Sequence, residues 1–277
     1  MTAAIDPAAP PPIPAERAAS LRRWNLVLAV LHAVQAIAIL AISLGQTPVV
    51  TYTVTSGFLR FDQATSSLIP AQREIFALPI GPAVALFFLL SAIAHFLVAV
   101  PFRSRYEGWL ARGQNPMRWM EYALSSSVMI VVIAALTGIQ DAGALIAIFG
   151  VNAAMNLFGW SMESANEGRA KVQWNHYIFG CIAGIVPWIV IVLALWTAGS
   201  EPGAAPIPTF VIVIFVSLFI SFNVFAINMI LQYRKVGKWS DYLHGERAYM
   251  LFSLIAKTIL AWQVFSGTLA PGSGTGS

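Results

Sequence analysis

Charge is what this sequence has least of. Only 10% of its 277 residues are Asp, Glu, Lys or Arg, against roughly 25% in an ordinary soluble domain. With 58% hydrophobic residues, water is not its main solvent. Cysteine is nearly missing too: Cys181 stands alone, which excludes an intrachain disulfide and leaves it as a small hydrophobe within an apolar run. No metal-ligand cluster, glycine-rich phosphate loop or hydrolase triad is found, and no fixed-period repeat suggests an inverted-repeat transporter. Residues 1–15 are Pro- and Ala-rich and lack the apolar region of a signal peptide; they read as a disordered tail.

What is present is apolar length. A bilayer core about 30 Å thick takes about 20 apolar residues per helical span, and seven such stretches occur: 24–44, 78–102, 117–139, 143–162, 177–196, 207–231 and 248–269. They use most of the chain, so the domain organisation is a tail over 1–20, one seven-helix domain over 21–270, and a Gly/Ser-rich flexible tail or expression remnant over 271–277. Pro187 interrupts the fifth span and predicts a kink there. Trp and Tyr gather near span ends, among them Trp24, Trp109, Trp174, Tyr233 and Trp239, as interfacial belts do.

The basic residues are one-sided. Arg17, Arg22 and Arg23 precede the first span; Arg103, Arg105, Arg112 and Arg118 fall in the second connection, Arg169 and Lys171 in the fourth, and Arg234, Lys235, Lys238 and Arg247 in the sixth. Only Arg60 and Arg73 lie on the other side. By the positive-inside rule the N-terminus is cytoplasmic and the C-terminus extracellular. The basic excess is thereby a topology signal, and nucleic acid is not an expected partner. The first extracellular connection, Thr47 to Arg73, contains TYTVTSGFLRF, whose alternation around Ser56-Gly57 predicts a β-hairpin over about 48–62. Its free edge could pair with a second copy, so a homodimer is expected alongside membrane lipid.

One lysine is out of place. Lys257 lies mid-way along the seventh span, in LFSLIAKTILAW, where an ammonium costs roughly 2.5 to 3.5 kcal/mol on insertion scales. A covalent Schiff base, a permanent ion pair or an ion-binding site would each offset that cost. Glu121, in the third span, is the only acid assigned to a span interior; Glu163 falls at a span end and Glu246 in a connection. A single buried cation and a single buried anion should neutralise each other. Glu121 is only a turn and a half past Pro116 whereas Lys257 is near mid-helix, but the lysine stem leans toward its own helix N-terminus, which narrows the gap.

The segment NMILQYRKVGKWSDYLHGERAYMLFSLIAKTILAWQVF from Asn228, together with RWMEY around Glu121 and the cytoplasmic N-terminus, closely resembles heliorhodopsins. The likeness runs over all seven spans and the β-forming first loop. It implies an all-α membrane protein, a seven-transmembrane-helix rhodopsin bundle with a short extracellular β-hairpin, that senses light and is not an enzyme. It further implies that Lys257 binds all-trans-retinal as a protonated Schiff base, that Glu121 is the counterion and that Ser253 lies beside the Schiff base. His32 and His95 match histidines of a polar cavity able to accept a proton. Trp119, Met155, Trp188 and Phe222 would form the walls of an apolar chromophore pocket.

The residues around these positions bear on mechanism. Ser253 stands one turn before Lys257, Ser125 one turn after Glu121, and Val132 eleven residues after it; outward proton pumps of the common microbial type have acids at such places. Without a donor acid to reload the Schiff base, the expected behaviour is a slow photocycle that signals at the cytoplasmic face, through an unknown partner, without ion pumping. A light-gated proton or ion channel using the same pair is the alternative, and a chromophore-free transporter or scaffold with a buried ion pair is a further one.

Overall fold

In the computed structural model, residues 11–203 and 206–269 are described. Seven long helices run through it: α1 (Ala15–Leu44), α2 (Ile80–Ala99), α4 (Pro116–Leu136), α5 (Ala142–Asn166), α6 (Asn175–Ser200), α7 (Thr209–Tyr233) and α8 (Tyr242–Val264). A short helix, α3 (Arg103–Ala111), links α2 to α4 and is not a span. Each of the seven is long and apolar enough to cross a bilayer.

The helix ends follow local chemistry. The Asn115 side chain accepts from the Arg118 N–H, with Pro116 in the first helical position of α4; Asp141 accepts from Ala144 at the start of α5 and Asp241 from Leu243 at the start of α8. The outside of the bundle is apolar, with Val34, Ile37, Ile146, Ile182 and Ile189 all exposed, as a helix in lipid requires. The interior is built around α4, whose Met129, Ile130, Val132 and Ile133 pack with Phe87 and Phe88 of α2 and Leu260 and Val264 of α8.

Two helix starts lie well ahead of the sequence reading. Residues 15–20, assigned to the tail, begin α1: Ala-Glu-Arg-Ala-Ala-Ser are good helix formers behind Pro14. Arg17 pairs with Asp241, and Arg247 donates to Ser20 at 3.0 Å, fastening this first turn to α8. The tail residues 1–10 and 270–277 lie outside the described residues. The seventh span starts at Tyr242 rather than 248, because its first two turns turn their polar groups inward to partners.

The hairpin is longer than predicted and its turn is elsewhere. β1 (Thr51–Asp62) pairs antiparallel with β2 (Ser67–Pro79), so Ser56-Gly57 lies in mid-strand opposite Arg73 and Gln72. The chain reverses after Asp62, whose carboxylate accepts from the Thr65 N–H at 3.2 Å and from its hydroxyl at 2.7 Å, with Ser66 at φ +50°. An Asp-anchored turn of this kind competes well with Ser-Gly. The hairpin rests on the start of α5: Thr55 N–H donates to Gln140 O at 2.8 Å, and Gly57 N–H to Asp141 at 3.4 Å.

Candidate functional site

α8 carries Lys257 and α4 carries Glu121 to a meeting point inside the bundle. Lys257 Nζ is 3.4 Å from Glu121 Oε1, and the two side chains are only 3% and 7% exposed. The amine also donates to Ser253 Oγ at 2.7 Å, and it sits 5.4 Å from the centre of the Tyr122 ring. Ser91 of α2 donates to the same Glu121 oxygen at 2.6 Å. The carboxylate is therefore held from two sides, by a cation and by a hydroxyl, which is what makes a buried charge tolerable.

His32 and His95 lie beside this pair. Their rings stack at 5.5 Å with 6° between planes, and His95 Nδ1 is 2.7 Å from Asn25 Oδ1. Neither ring nitrogen of His32 has a hydrogen-bond partner, nor does the Ser125 hydroxyl one turn along α4 from Glu121. A small cavity of about 30 Å³ is lined by Asn25, His95, Glu121 and Tyr122 together with Arg118 and Glu246. It is large enough for a water molecule.

The apolar side of the amine is a trough. Tyr122, Met129, Met155, Phe222, Phe225, Ser253 and Lys257 border a cavity of about 50 Å³. Met155, Asn156, Phe222 and Phe225 also border a larger one of about 380 Å³, which extends between α5, α6 and α7 past Trp119 and Trp188. Trp188 meets Phe215, Phe219 and Phe222 edge-on at 5.3 to 5.8 Å, a geometry aromatic quadrupoles favour. Two glycines make room: a Cβ on Gly159 would lie 2.3 Å from the Trp119 ring, and one on Gly184 2.5 Å from Met155 Sδ. The residues named from sequence as walls, Trp119, Met155, Trp188 and Phe222, are thus brought together, as are Lys257, Glu121 and Ser253. A long apolar trough with one amine at its end fits an elongated polyene aldehyde. Lys257 would hold it covalently and Trp119, Met155, Trp188 and Phe222 would enclose its chain.

The sequence reading missed the charged centre below the pair. Glu121 is not the only acid within a span: Glu163 of α5 and Glu246 of α8 are buried as well. Arg118, counted from sequence among the surface basic residues, is 6% exposed and pairs with both. Glu163 also accepts from the Asn115 N–H at 2.8 Å, the Trp119 indole N–H at 2.7 Å and the Tyr242 hydroxyl at 3.0 Å. Glu246 accepts from Asn115 Nδ2 at 2.6 Å and from the Tyr106 hydroxyl at 3.5 Å. Burial first, and Glu246 second, raise the Tyr106 phenol well above its ordinary range, so it stays a donor at physiological pH. Arg118 lies over the Tyr249 ring at 4.1 Å and the Trp119 ring at 4.6 Å. Asn25, Ser91 and Tyr122 were likewise unremarked in the sequence. The available signal was Arg118 one turn before Glu121, with three polar side chains within the first two turns of α8.

The chain has no match to an individual curated protein. The sequence model of the heliorhodopsin family matches residues 21–269, a stretch that holds all but the first six residues of α1, the other six long helices, the hairpin and both members of the Lys257–Glu121 pair. A lysine amine facing one carboxylate at the end of an aromatic trough is what a retinal-binding membrane protein needs, and the chain belongs to the heliorhodopsin family, the light-sensing rhodopsins with a retinal chromophore.

Proposed function

We propose that the protein is a slow-cycling photosensor of the plasma membrane that carries all-trans-retinal on Lys257, with its N-terminus cytoplasmic, and that it pumps no ion. The observation that carries this reading is the 3.4 Å approach of Lys257 to Glu121 at the closed end of the trough. Retinal, condensed with the Lys257 amine, supplies visible absorption and a light-driven change of shape. The protein's own groups do the rest. Glu121 holds the positive charge on the lysine nitrogen and Ser253 fixes its direction. When the nitrogen gives up its proton, Glu121, His95 and His32 form the acceptor side, because the two imidazoles are the other bases beside the pair.

Return of the proton is the slow step. Glu163 and Glu246 are used as acceptors by Arg118 and its neighbours, so neither is free to donate to Lys257. Val132 and Ser125 stand on the same helix where pumps place acids. The signal leaves at the basic end, through the loop of Arg234, Lys235 and Lys238, to a cytoplasmic partner. A second copy pairs through the hairpin, whose Phe58, Leu59, Phe61, Leu68 and Phe76 are exposed.

The test is reconstitution with all-trans-retinal followed by a visible spectrum. A visible band is expected from the parent and none from Lys257→Arg, since a guanidinium keeps the charge but forms no such linkage. Colour in the arginine variant would end this reading.

A further inference from the structure

A third cavity, of about 220 Å³, opens at the basic end of the bundle between the ends of α5 and α7 and the start of α8. It shares no lining residue with the retinal trough. Its charged and amide groups are Arg112, Glu163, Asn166, Glu167, Arg169, Gln232 and Lys235. The acids are already engaged. Glu167 is held by Arg112 at 3.6 Å and by Gln114 at 2.5 Å, and Glu163 by Arg118, Tyr242, Trp119 and the Asn115 backbone.

The donors are not. Arg169 and Lys235 have no side-chain ion pair or hydrogen bond among the described residues. The Gln232 amide nitrogen is buried and unpartnered, on a residue only 9% exposed; an unmet buried donor costs about 1–3 kcal/mol. α7 ends in a Schellman motif, Val236 N–H to Leu231 O and Lys235 N–H to Gln232 O, and the left-handed residue in it, at φ +53°, is Lys235 where glycine is the easy choice. That conformation is held at some cost beside the cavity.

We propose that this cavity binds a phosphate group, carried by a soluble phosphate compound or by a lipid headgroup at that membrane surface. Two unpaired cations at the exposed rim and a buried, unpartnered amide donor in the wall suit a compact anion with several acceptor oxygens, and the arginine fork suits phosphate in particular. The wall of the site is also the far side of the chromophore pocket: Glu163 borders the phosphate cavity and receives the Trp119 indole N–H at 2.7 Å. Occupancy therefore reaches the retinal. This optical part rests on the photosensor reading; binding does not.

Purified protein, with and without retinal, would be titrated with inorganic phosphate against chloride at constant ionic strength, by calorimetry and thermal melting. In parallel, it would be placed in nanodiscs of phosphatidylcholine alone or with phosphatidylglycerol. Saturable phosphate binding identifies a soluble ligand, and stabilisation only with phosphatidylglycerol identifies the headgroup. Arg169→Ala with Lys235→Ala should weaken either effect at least tenfold, and Gln232→Leu should weaken it while changing no charge. No saturable effect in either arm, an effect equalled by chloride, or full binding in these variants overturns the site. Binding that leaves the visible band and its recovery rate unchanged overturns the link to retinal. Binding by a protein that forms no visible band sinks the photosensor and leaves the site standing.

Discussion

Trp119 belongs to two sites at once: its ring borders the aromatic trough while its N–H donates to Glu163 of the buried ion network at 2.7 Å. The ring is pressed onto the bare backbone of Gly159, so it cannot shift without moving α5 or releasing the carboxylate. A change of shape in the trough has a short path to the Arg118 cluster and from there to the loops of the basic end.

Trp119→Phe separates these roles, because it keeps a ring against Gly159 and removes the donor. Glu163 then loses one of its acceptances in a buried setting, which should cost about 1–3 kcal/mol. We expect a lower thermal midpoint, a nearly unchanged visible maximum and an altered recovery rate after a flash. A thermal midpoint and recovery equal to the parent would show that the indole bond is dispensable.

Glu121→Gln tests the counterion. Removing one partner of a buried pair leaves the other uncompensated, at a cost of about 3–5 kcal/mol. The retinal-free protein should melt at a lower temperature. The retinal-loaded protein should change both its band position and its pH titration. Spectra that superimpose on the parent across pH would assign the counterion to another group, and Asp141, at the far end of α5 against the hairpin, is badly placed for it.

The bundle and the pair were legible in the sequence for one reason: lipid imposes long apolar runs, against which Lys257 and Glu121 stand out. The same logic hid Arg118, Glu163 and Glu246. Their charges are paired and hydrogen-bonded inside the protein, so helices α5 and α8 extend beyond their apolar stretches with these side chains turned inward, and a hydropathy reading ends the span too early. The hairpin was legible by its alternation, but its turn was not, because Asp62 closes it through side-chain bonds that only a three-dimensional arrangement reveals. Ser91, which grips Glu121 from another helix, carries no sequence signal at all.

Illuminated cells in weakly buffered medium should show no sustained pH change, with or without a protonophore. Both extra carboxylates of the bundle are tied to Arg118, and no other acid faces Lys257 among the described residues. A protonophore-sensitive change that vanishes in Glu121→Gln would establish transport and refute the sensor.

Orientation can be tested without colour. Arg118 must be withdrawn from the charge count, since it is an interior ion-pair partner and not a flank; twelve basic residues then remain at the end that holds the N-terminus, against Arg60 and Arg73 on the hairpin. The bias is little changed, and the positive-inside rule puts that end in the cytoplasm. A tag before Met1 should be protected from protease in intact cells, and one after Ser277 should be cleaved. The opposite result would place Arg169, Lys235 and the phosphate cavity outside the cell. The loop of Arg234, Lys235 and Lys238 would then face no cytoplasmic partner, and the exposed apolar strands of the hairpin would become the surface to search.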